Sequence, residues 1–496
     1  MGSRADSGQF DQANLTDIFT GMDFHVSLVG RKDLSGEIYR QLRRAIVNGR
    51  LRHGEVLPPT RELAQHLSVA RTTVTVAYDR LAGEGFVTSR VGAGTFVNDH
   101  GARAPHETKR RRVDGALRPL RIWDSIPLSA AFARPAQFDF RTGLPDASLF
   151  PHDRWRRLLS RQLRSEAVRG GVYGDPAGYR GLREAIARHM GVARGVEASA
   201  DDVTVVSGTQ QALDVVARSL LTPADRVAVE DPGYQPARWL FESLGARVNG
   251  VPVDQHGLVV DALPRHARLV YVTPSHQYPL GVSMALSRRR ALLAWAERNH
   301  AAIVEDDYDS EFRFGGRPIE PLQTIDTIGQ VVYVGSFSKT MLPTLRLGFV
   351  VTPPSLRAAV HKAKQVTDWH TATPLQMALA RFIDDGGFAR HIRKMREVYR
   401  IRHEMVTNAL TGELADHLEA LPSACGLHVA ALARTASTDE IGAVVRRAAH
   451  AGVAVQELSQ FAVNGPARPG LVLGYGAIPT QHIEEGLRRL RHCFGG

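Results

Sequence analysis

The chain has 496 residues, 43% apolar and 23% charged, a balance that excludes a disordered or fibrous protein; at this length two or three folding units are expected. No apolar run is long enough to span a bilayer, and the start MGSRADSGQF has neither a signal-peptide core nor a myristoylation hydroxyl; the two cysteines, Cys425 and Cys493, have no metal-ligand spacing, so a cytoplasmic protein without disulfide, zinc or membrane partner is expected. A net charge of +11 and a pI of about 9.9 favour a polyanionic partner without identifying one.

The first predicted element runs from Leu34 to Asn48, where Ile38, Leu42, Ile46 and Val47 fall at helical spacing between arginines and Gly49 supplies a stop. After LPP, Thr60 is the expected N-cap of a second helix, RELAQHL. A break at Ser68-Val69 leads to a third helix in which Val74, Ala77, Tyr78 and Leu81 share one face. So short a connection between two helices fits helix-turn-helix, and the opposite face of the third helix offers Arg71, Thr72, Thr73 and Thr75 near its start. FVTSRVGAGTFV then reads as two short strands around a glycine turn, a wing. Because Gly92-Ala93-Gly94 ends a hairpin and opens no helix, a dinucleotide loop is rejected there.

From LPPT to GTFV the segment resembles the winged helix-turn-helix of GntR-type regulators. That resemblance implies a double-stranded DNA partner, contacts from Arg61 and Arg71 with Thr72 and Thr73 beside them, and a hairpin tip at Gly92 and Gly94 approaching the minor groove. Ala70 departs from it, standing where the family has a serine capping the recognition helix, a loss that typically costs about 1 kcal/mol. This unit is expected to occupy residues 30–99. Residues 100–136, which carry Lys109, Arg110, Arg111, Arg112, Arg118 and Arg121 without apolar periodicity, read as a basic flexible linker.

From Phe140 onward, helical patterns alternate with short apolar runs (DDVTVVSG, DRVAVEDPGY, ARLVYVTPS, AAIVEDDY, QVVYVGSFSK), which predicts an α/β unit over 137–496 with a mainly parallel sheet and ligands beyond the carboxyl ends of its strands. The polar residues at those ends supply what a pyridoxal phosphate site needs. Lys339 is the amine that condenses with the aldehyde; Asp306, two residues from Tyr308, is the acid for the pyridine nitrogen, with Tyr308 a donor to the phenolic oxygen. Ser207-Gly208-Thr209 opens a helix and can face a phosphate, with Ser336, Ser338 and Arg346 near the lysine. A metal site on Glu305, Asp306, Asp307 and Asp309 is disfavoured because neither a histidine nor a glycine-turned loop accompanies them.

SGTQQALD, EDPGY, TPSHQYPLG, EDDYDSEFR and GSFSKTMLPTLRLGF together resemble fold type I pyridoxal phosphate enzymes of the aspartate aminotransferase family, and the whole chain resembles the MocR subfamily of GntR regulators. The resemblance implies Lys339 as the Schiff-base lysine, Asp306 at the pyridine, Tyr308 at the phenolic oxygen, and Arg346, Ser336, Ser338, Gly208 and Thr209 at the phosphate. It also implies Tyr234 stacked on the ring, Tyr173 reaching the phosphate of a neighbouring subunit, and hence a homodimer on an operator with two half-sites. Tyr278 stands where the enzymes have an asparagine, leaving His276 or Gln277 to supply that contact. GPARPGLVLGYG lacks the arginine that clamps a substrate carboxylate, with Arg468 the nearest candidate. The expected function is a transcriptional regulator sensing an amine, an amino acid or the cofactor itself; the alternative is a working aminotransferase carrying a DNA-binding domain.

Overall fold

The computed structural model describes residues 33–99, 118–128, 135–165, 168, 170–315, 320–466 and 468–495, and they fall into two compact units divided between Arg118 and Pro119. The basic run Lys109–Arg112 lies outside the described residues. Within the stretch read as linker, Ile122–Ser125 forms one turn of helix.

The N-terminal unit comprises α1 (Leu34–Val47), β1 (Val56–Leu57), α2 (Thr60–His66), α3 (Arg71–Gly83), β2 (Val87–Arg90) and β3 (Gly94–Val97), with the strands in the antiparallel order β1-β3-β2. Its core is the predicted one but for Val47, which is exposed at the end of α1: Ile38, Leu42 and Ile46 of α1 meet Val74, Ala77, Tyr78 and Leu81 of α3, closed by Val87 and Val97 of the wing. Asp33 caps α1 by accepting from the Gly36 amide (3.2 Å). The N-cap of α2 is Pro59 and not Thr60, which is the first helical residue; the Thr60 hydroxyl instead accepts from Arg71 Nε (3.3 Å), tying the starts of α2 and α3 together.

In the C-terminal unit an eight-stranded sheet runs β5-β12-β11-β10-β9-β6-β7-β8. Its strands are β5 (Val203–Val206), β6 (Arg226–Asp231), β7 (Arg247–Asp254), β8 (Gly257–Leu258), β9 (Ala267–Val272), β10 (Ala302–Asp307), β11 (Val331–Ser336) and β12 (Gly348–Val351). β7, β6, β9, β10 and β11 are mutually parallel; β12 runs against both β11 and β5. Helices such as Thr209–Leu220 and Leu286–Asn299 cover the sheet, whose central strands are buried on both faces, as their unbroken Val/Ile/Ala runs predict. β4 (Phe138–Asp139) pairs with β15 (Val453–Ala454), and a smaller antiparallel sheet, β13 (Leu418–Ala420), β14 (His428–Ala433), β17 (Gly470–Gly474) and β16 (Gln456–Glu457), forms against the long helix Gly387–Thr411.

Leu81 is wholly buried where α1 and α3 meet, so Leu81→Ala removes about 2–5 kcal/mol from the N-terminal unit. Amide hydrogen exchange of the full chain should show α1 and α3 losing protection while β9 to β11 keep theirs.

Candidate functional site

Two groups of residues carry chemistry. In the N-terminal unit, Arg61, Arg71 and Thr72 are exposed at the starts of α2 and α3 and Thr73 is half-buried beside them. Ala70, the residue before α3, is extended and makes no side-chain cap, as its identity predicts. The wing turns at Gly92 (φ +77°) and Gly94 (φ +113°), left-handed conformations that glycine adopts without strain; a Cβ on Gly94 would also come within 3.0 Å of Val56. Of the six predicted DNA-facing residues all but the half-buried Thr73 are exposed, at helix starts and the hairpin tip.

In the C-terminal unit, a cavity of about 710 Å³ opens at the carboxyl ends of β10 and β11, and Lys339, Asp306, Tyr308, Arg346, Ser336, Ser338, Thr209 and Tyr234 all line it. Alternation along β10 turns Asp306 to the cavity and its neighbours away from it. Glu305 accepts from the amides of Leu322 (2.9 Å) and Gln323 (3.0 Å), whereas Asp307 pairs with Arg194 (2.9 Å) and accepts from the Tyr333 hydroxyl (2.5 Å). These three acidic side chains diverge; the fourth of the run, Asp309, meets His276 Nδ1 (3.0 Å), a histidine that the local sequence does not place beside it, and ligand-type atoms of these two and His428 lie within 4.8 Å of one another.

Asp306 Oδ2 accepts from the Tyr271 hydroxyl (2.8 Å); Oδ1 is buried without a hydrogen-bond partner. Burial pushes this carboxyl up to about 7, against the lowering effect of Tyr271 and Lys339. Such an orphaned acceptor fits a protonated ring nitrogen. The same burial lowers the pKa of Lys339, the direction an amine needs to condense with an aldehyde, although the Asp309 and Asp306 carboxylates oppose it; Nζ donates to the Gly143 carbonyl (2.8 Å).

The side expected to take a phosphate is equally built. Gly208 (φ +91°) precedes the helix Thr209–Leu220, and a Cβ there would sit 3.0 Å from the Arg346 guanidinium, so only glycine leaves room for Arg346 at the helix start. The peptide of Ser207 is held at both ends: Arg346 donates to its carbonyl, and its N–H donates to Gln211 Oε1 (2.8 Å). Gln211 Nε2 in turn donates to Asp368 (2.7 Å), which pairs with the fully buried Lys364. The residue after Asp368 is Trp369, whose ring lies 4.4 Å from that of Tyr173. Tyr173 is 74% exposed and does not line the cavity of its own chain.

Three expectations are redrawn. Neither His276 nor Gln277 lines the cavity: His276 Nδ1 meets Asp309 (3.0 Å) and the Tyr308 hydroxyl (3.0 Å), and Gln277 Nε2 donates to the Pro232 carbonyl (2.9 Å), so Tyr278 itself faces the site. Arg468 is not among the lining residues. Pro127 and Leu128, from the stretch read as linker, are. Sequence reasoning missed Thr142, His428 and Gln456, which reach the cavity from the segment after β4, from β14 and from β16 and lie in no motif; only contact across more than 300 residues, as between Thr142 and Gln456, reveals them.

Residues 142–490 match the family of aminotransferases of class I and II, and residues 34–97 match the bacterial regulatory proteins of the gntR family. Over 92% of its length the chain is 38% identical to a probable rhizopine catabolism regulatory protein, MocR, of Rhizobium meliloti, covering 93% of that protein. It is 31% identical over 91% of its length to the pyridoxine biosynthesis regulator PdxR of Corynebacterium glutamicum, covering 93% of it, and 36% identical over 78% to TauR of Rhodobacter capsulatus, covering 81%. Among solved structures, the α-aminoadipate aminotransferase of Thermus thermophilus, complexed with N-(5'-phosphopyridoxyl)-L-leucine, shares 29% identity at a TM-score of 0.69, over 76% of this chain and 97% of that one. These matches and the orphaned Asp306 oxygen agree on pyridoxal phosphate as the cofactor.

The raised carboxyl of Asp306 sets a pH dependence. A folded pKa of about 7 against about 3.9 unfolded means that its stabilising contribution is full below about pH 4 and lost as pH rises through about 7. Thermal melting of cofactor-stripped protein from pH 5 to pH 8 should fall less for Asp306→Asn than for the wild type, by about 2 °C or more; equal falls would refute the assignment. Lys339→Ala should abolish the absorbance of the lysine-bound cofactor while leaving the circular dichroism unchanged.

Proposed function

The chain belongs to the MocR-type GntR regulators, which join a winged helix-turn-helix to an aminotransferase domain, and from that membership we propose that it is a DNA-binding transcriptional regulator that senses a small amine through its pyridoxal phosphate site. The observation that carries this reading is the coexistence, in one chain, of an exposed basic helix start at Arg61 and Arg71 with a cavity whose buried Asp306 oxygen awaits a ring nitrogen. Residues 30–99 would read DNA, 100–136 would connect while lending Pro127 and Leu128 to the cavity, and 137–496 would sense.

Bound there, pyridoxal phosphate supplies an aldehyde that condenses reversibly with primary amines, on a ring that withdraws electrons. The chain's own residues do the rest. Lys339 would supply the amine that holds the aldehyde, Asp306 would keep the ring nitrogen protonated, and Tyr308 would stand at the phenolic oxygen. Arg346, Ser336, Ser338, Gly208 and Thr209 would hold the phosphate, and Tyr234 the ring face. An amine competing with Lys339 would change the charge in the cavity, and could shift the regulator only by as much as it binds one arrangement better than another.

Tyr173 supports a homodimer: it stands outside its own chain's cavity, exposed beside Trp369 and the exposed Val172, the placement required of a residue serving a neighbouring phosphate. Light scattering of the cofactor-loaded protein at micromolar concentration should give the mass of two chains, and a monomer would contradict this.

Operator affinity and cofactor absorbance should change together when the correct amine is titrated, with little product formed. If the cofactor alone changes DNA affinity, the vitamin is the effector; if neither cofactor nor any amine does, the sensing reading is wrong. Arg71→Ala should weaken operator binding by about 1–3 kcal/mol with less effect on random DNA, checked by competition titration. Equal losses on both would remove base readout from Arg71.

A further inference from the structure

On the premise that this cavity is the sensor, its far wall states which amines it admits. Lys339 Nζ donates to the Gly143 carbonyl, which sets residue 142 beside the reacting amine. The Thr142 backbone N–H points at Gln456 (2.9 Å), and only the carbonyl end of a carboxamide accepts it, so the orientation of Gln456 is fixed. Thr142's one hydroxyl proton goes to that same oxygen (2.8 Å), and the Tyr278 hydroxyl, 2.6 Å from Thr142 Oγ1, is therefore the donor in that pair. What this wall keeps for a ligand is a lone pair on Tyr278 Oη and the NH2 of Gln456, one acceptor and one donor, both neutral. His428 adds another neutral acceptor. Its Nε2 donates to the Pro279 carbonyl (3.0 Å), leaving the lone pair on Nδ1, and burial, with His276 and Lys339 nearby, holds the ring well below the usual imidazole range.

Among the described residues, the cations around this wall are already matched. Arg141 donates to both oxygens of Asp139 (2.8 and 2.5 Å) in a buried pair, Arg238 pairs with Glu242 (2.9 Å), and Arg346 serves the phosphate side. Behind Tyr278 and Phe461, β17 packs Val472. A carboxylate or sulfonate is charged and accepts only; set against neutral groups that in part also only accept, it would lose its water without replacement. A hydroxyl donates and accepts, and so matches both Tyr278 Oη and Gln456 Nε2.

We propose that the amine sensed here carries hydroxyl groups and no carboxylate or sulfonate: an amino alcohol or amino sugar whose hydroxyls bridge Tyr278 and Gln456.

The test titrates the cofactor-loaded full chain by absorbance with 2-amino-1,3-propanediol and glucosamine, against 4-aminobutanoate, alanine and taurine, with propylamine as the reference. The hydroxylated amines should half-saturate at concentrations about tenfold or more below those of the acids, the size of one well-made hydrogen bond. In Tyr278→Phe their advantage over propylamine, both measured on that variant, should shrink by about tenfold. Acids that saturate as tightly as the amino alcohols, or a preference that Tyr278→Phe leaves intact, would overturn this inference and leave amine sensing standing. Silence towards every amine would overturn both. Should Tyr278→Phe fail to fold, the comparison of ligands on the wild-type chain decides alone.

Discussion

Charges held out of water organise the C-terminal unit. At the carboxyl ends of the central strands, Glu230, Glu305, Asp306, Asp307 and Lys339 are all buried or nearly so, and each must be answered by a partner or remain protonated. Three are answered within the protein: Glu230 by Thr273 (2.6 Å), Glu305 by two helix-start amides, Asp307 by Arg194 and Tyr333. Among the described carboxylates, Glu230 Oε1 and Glu311 Oε2 are also left without a partner, but of the four named here Asp306 is the one that lines the cavity, with one oxygen matched by Tyr271 and the other left over. Its unmet demand thus falls where a cationic ring can meet it.

Much of this was legible in the sequence. The heptad-like faces of α1 and α3, the glycine turn of the wing and the unbroken apolar strands each declare their burial through period and composition, and the chain folds them accordingly. The pairing of Asp306 with Tyr308 followed from the two-residue repeat of an extended segment, and both line the cavity. What was not legible arises from distance along the chain. Thr60 looked like a helix cap because its neighbours allow one, yet Arg71, eleven residues on, claims its hydroxyl. His276 sits inside a motif that promises a cofactor contact, and Asp309 and Tyr308 turn it aside. Thr142 and Gln456 have no local signature, since their meaning lies in facing each other.

The cavity accordingly has two sides with different chemistry. One, at the strand ends, is ionic and shared with a large class of enzymes, and the matching residues were visible as motifs. The other, formed by Thr142, Tyr278, His428 and Gln456, is neutral and, Tyr278 apart, belongs to no motif. If reactivity sits on the first side and selectivity on the second, side chains such as Tyr278 and Val472 could change without disturbing Asp306 or Lys339.

The double tether of Ser207 bears on time as well as position. A flexible phosphate-binding loop must be ordered by its ligand, and that loss of freedom is subtracted from the affinity. Here the peptide is fixed by Arg346 at its carbonyl and by Gln211 at its N–H, and Gln211 is itself braced by Asp368 and the buried Lys364, so little ordering is left to do. The cradle is stiff, with a helix some 150 residues away along the chain as its backstop. On the sensing reading proposed above, a cradle of this stiffness would favour slow exchange of the phosphate group, separating a slow memory of cofactor supply from a fast reading of a reversibly condensing amine.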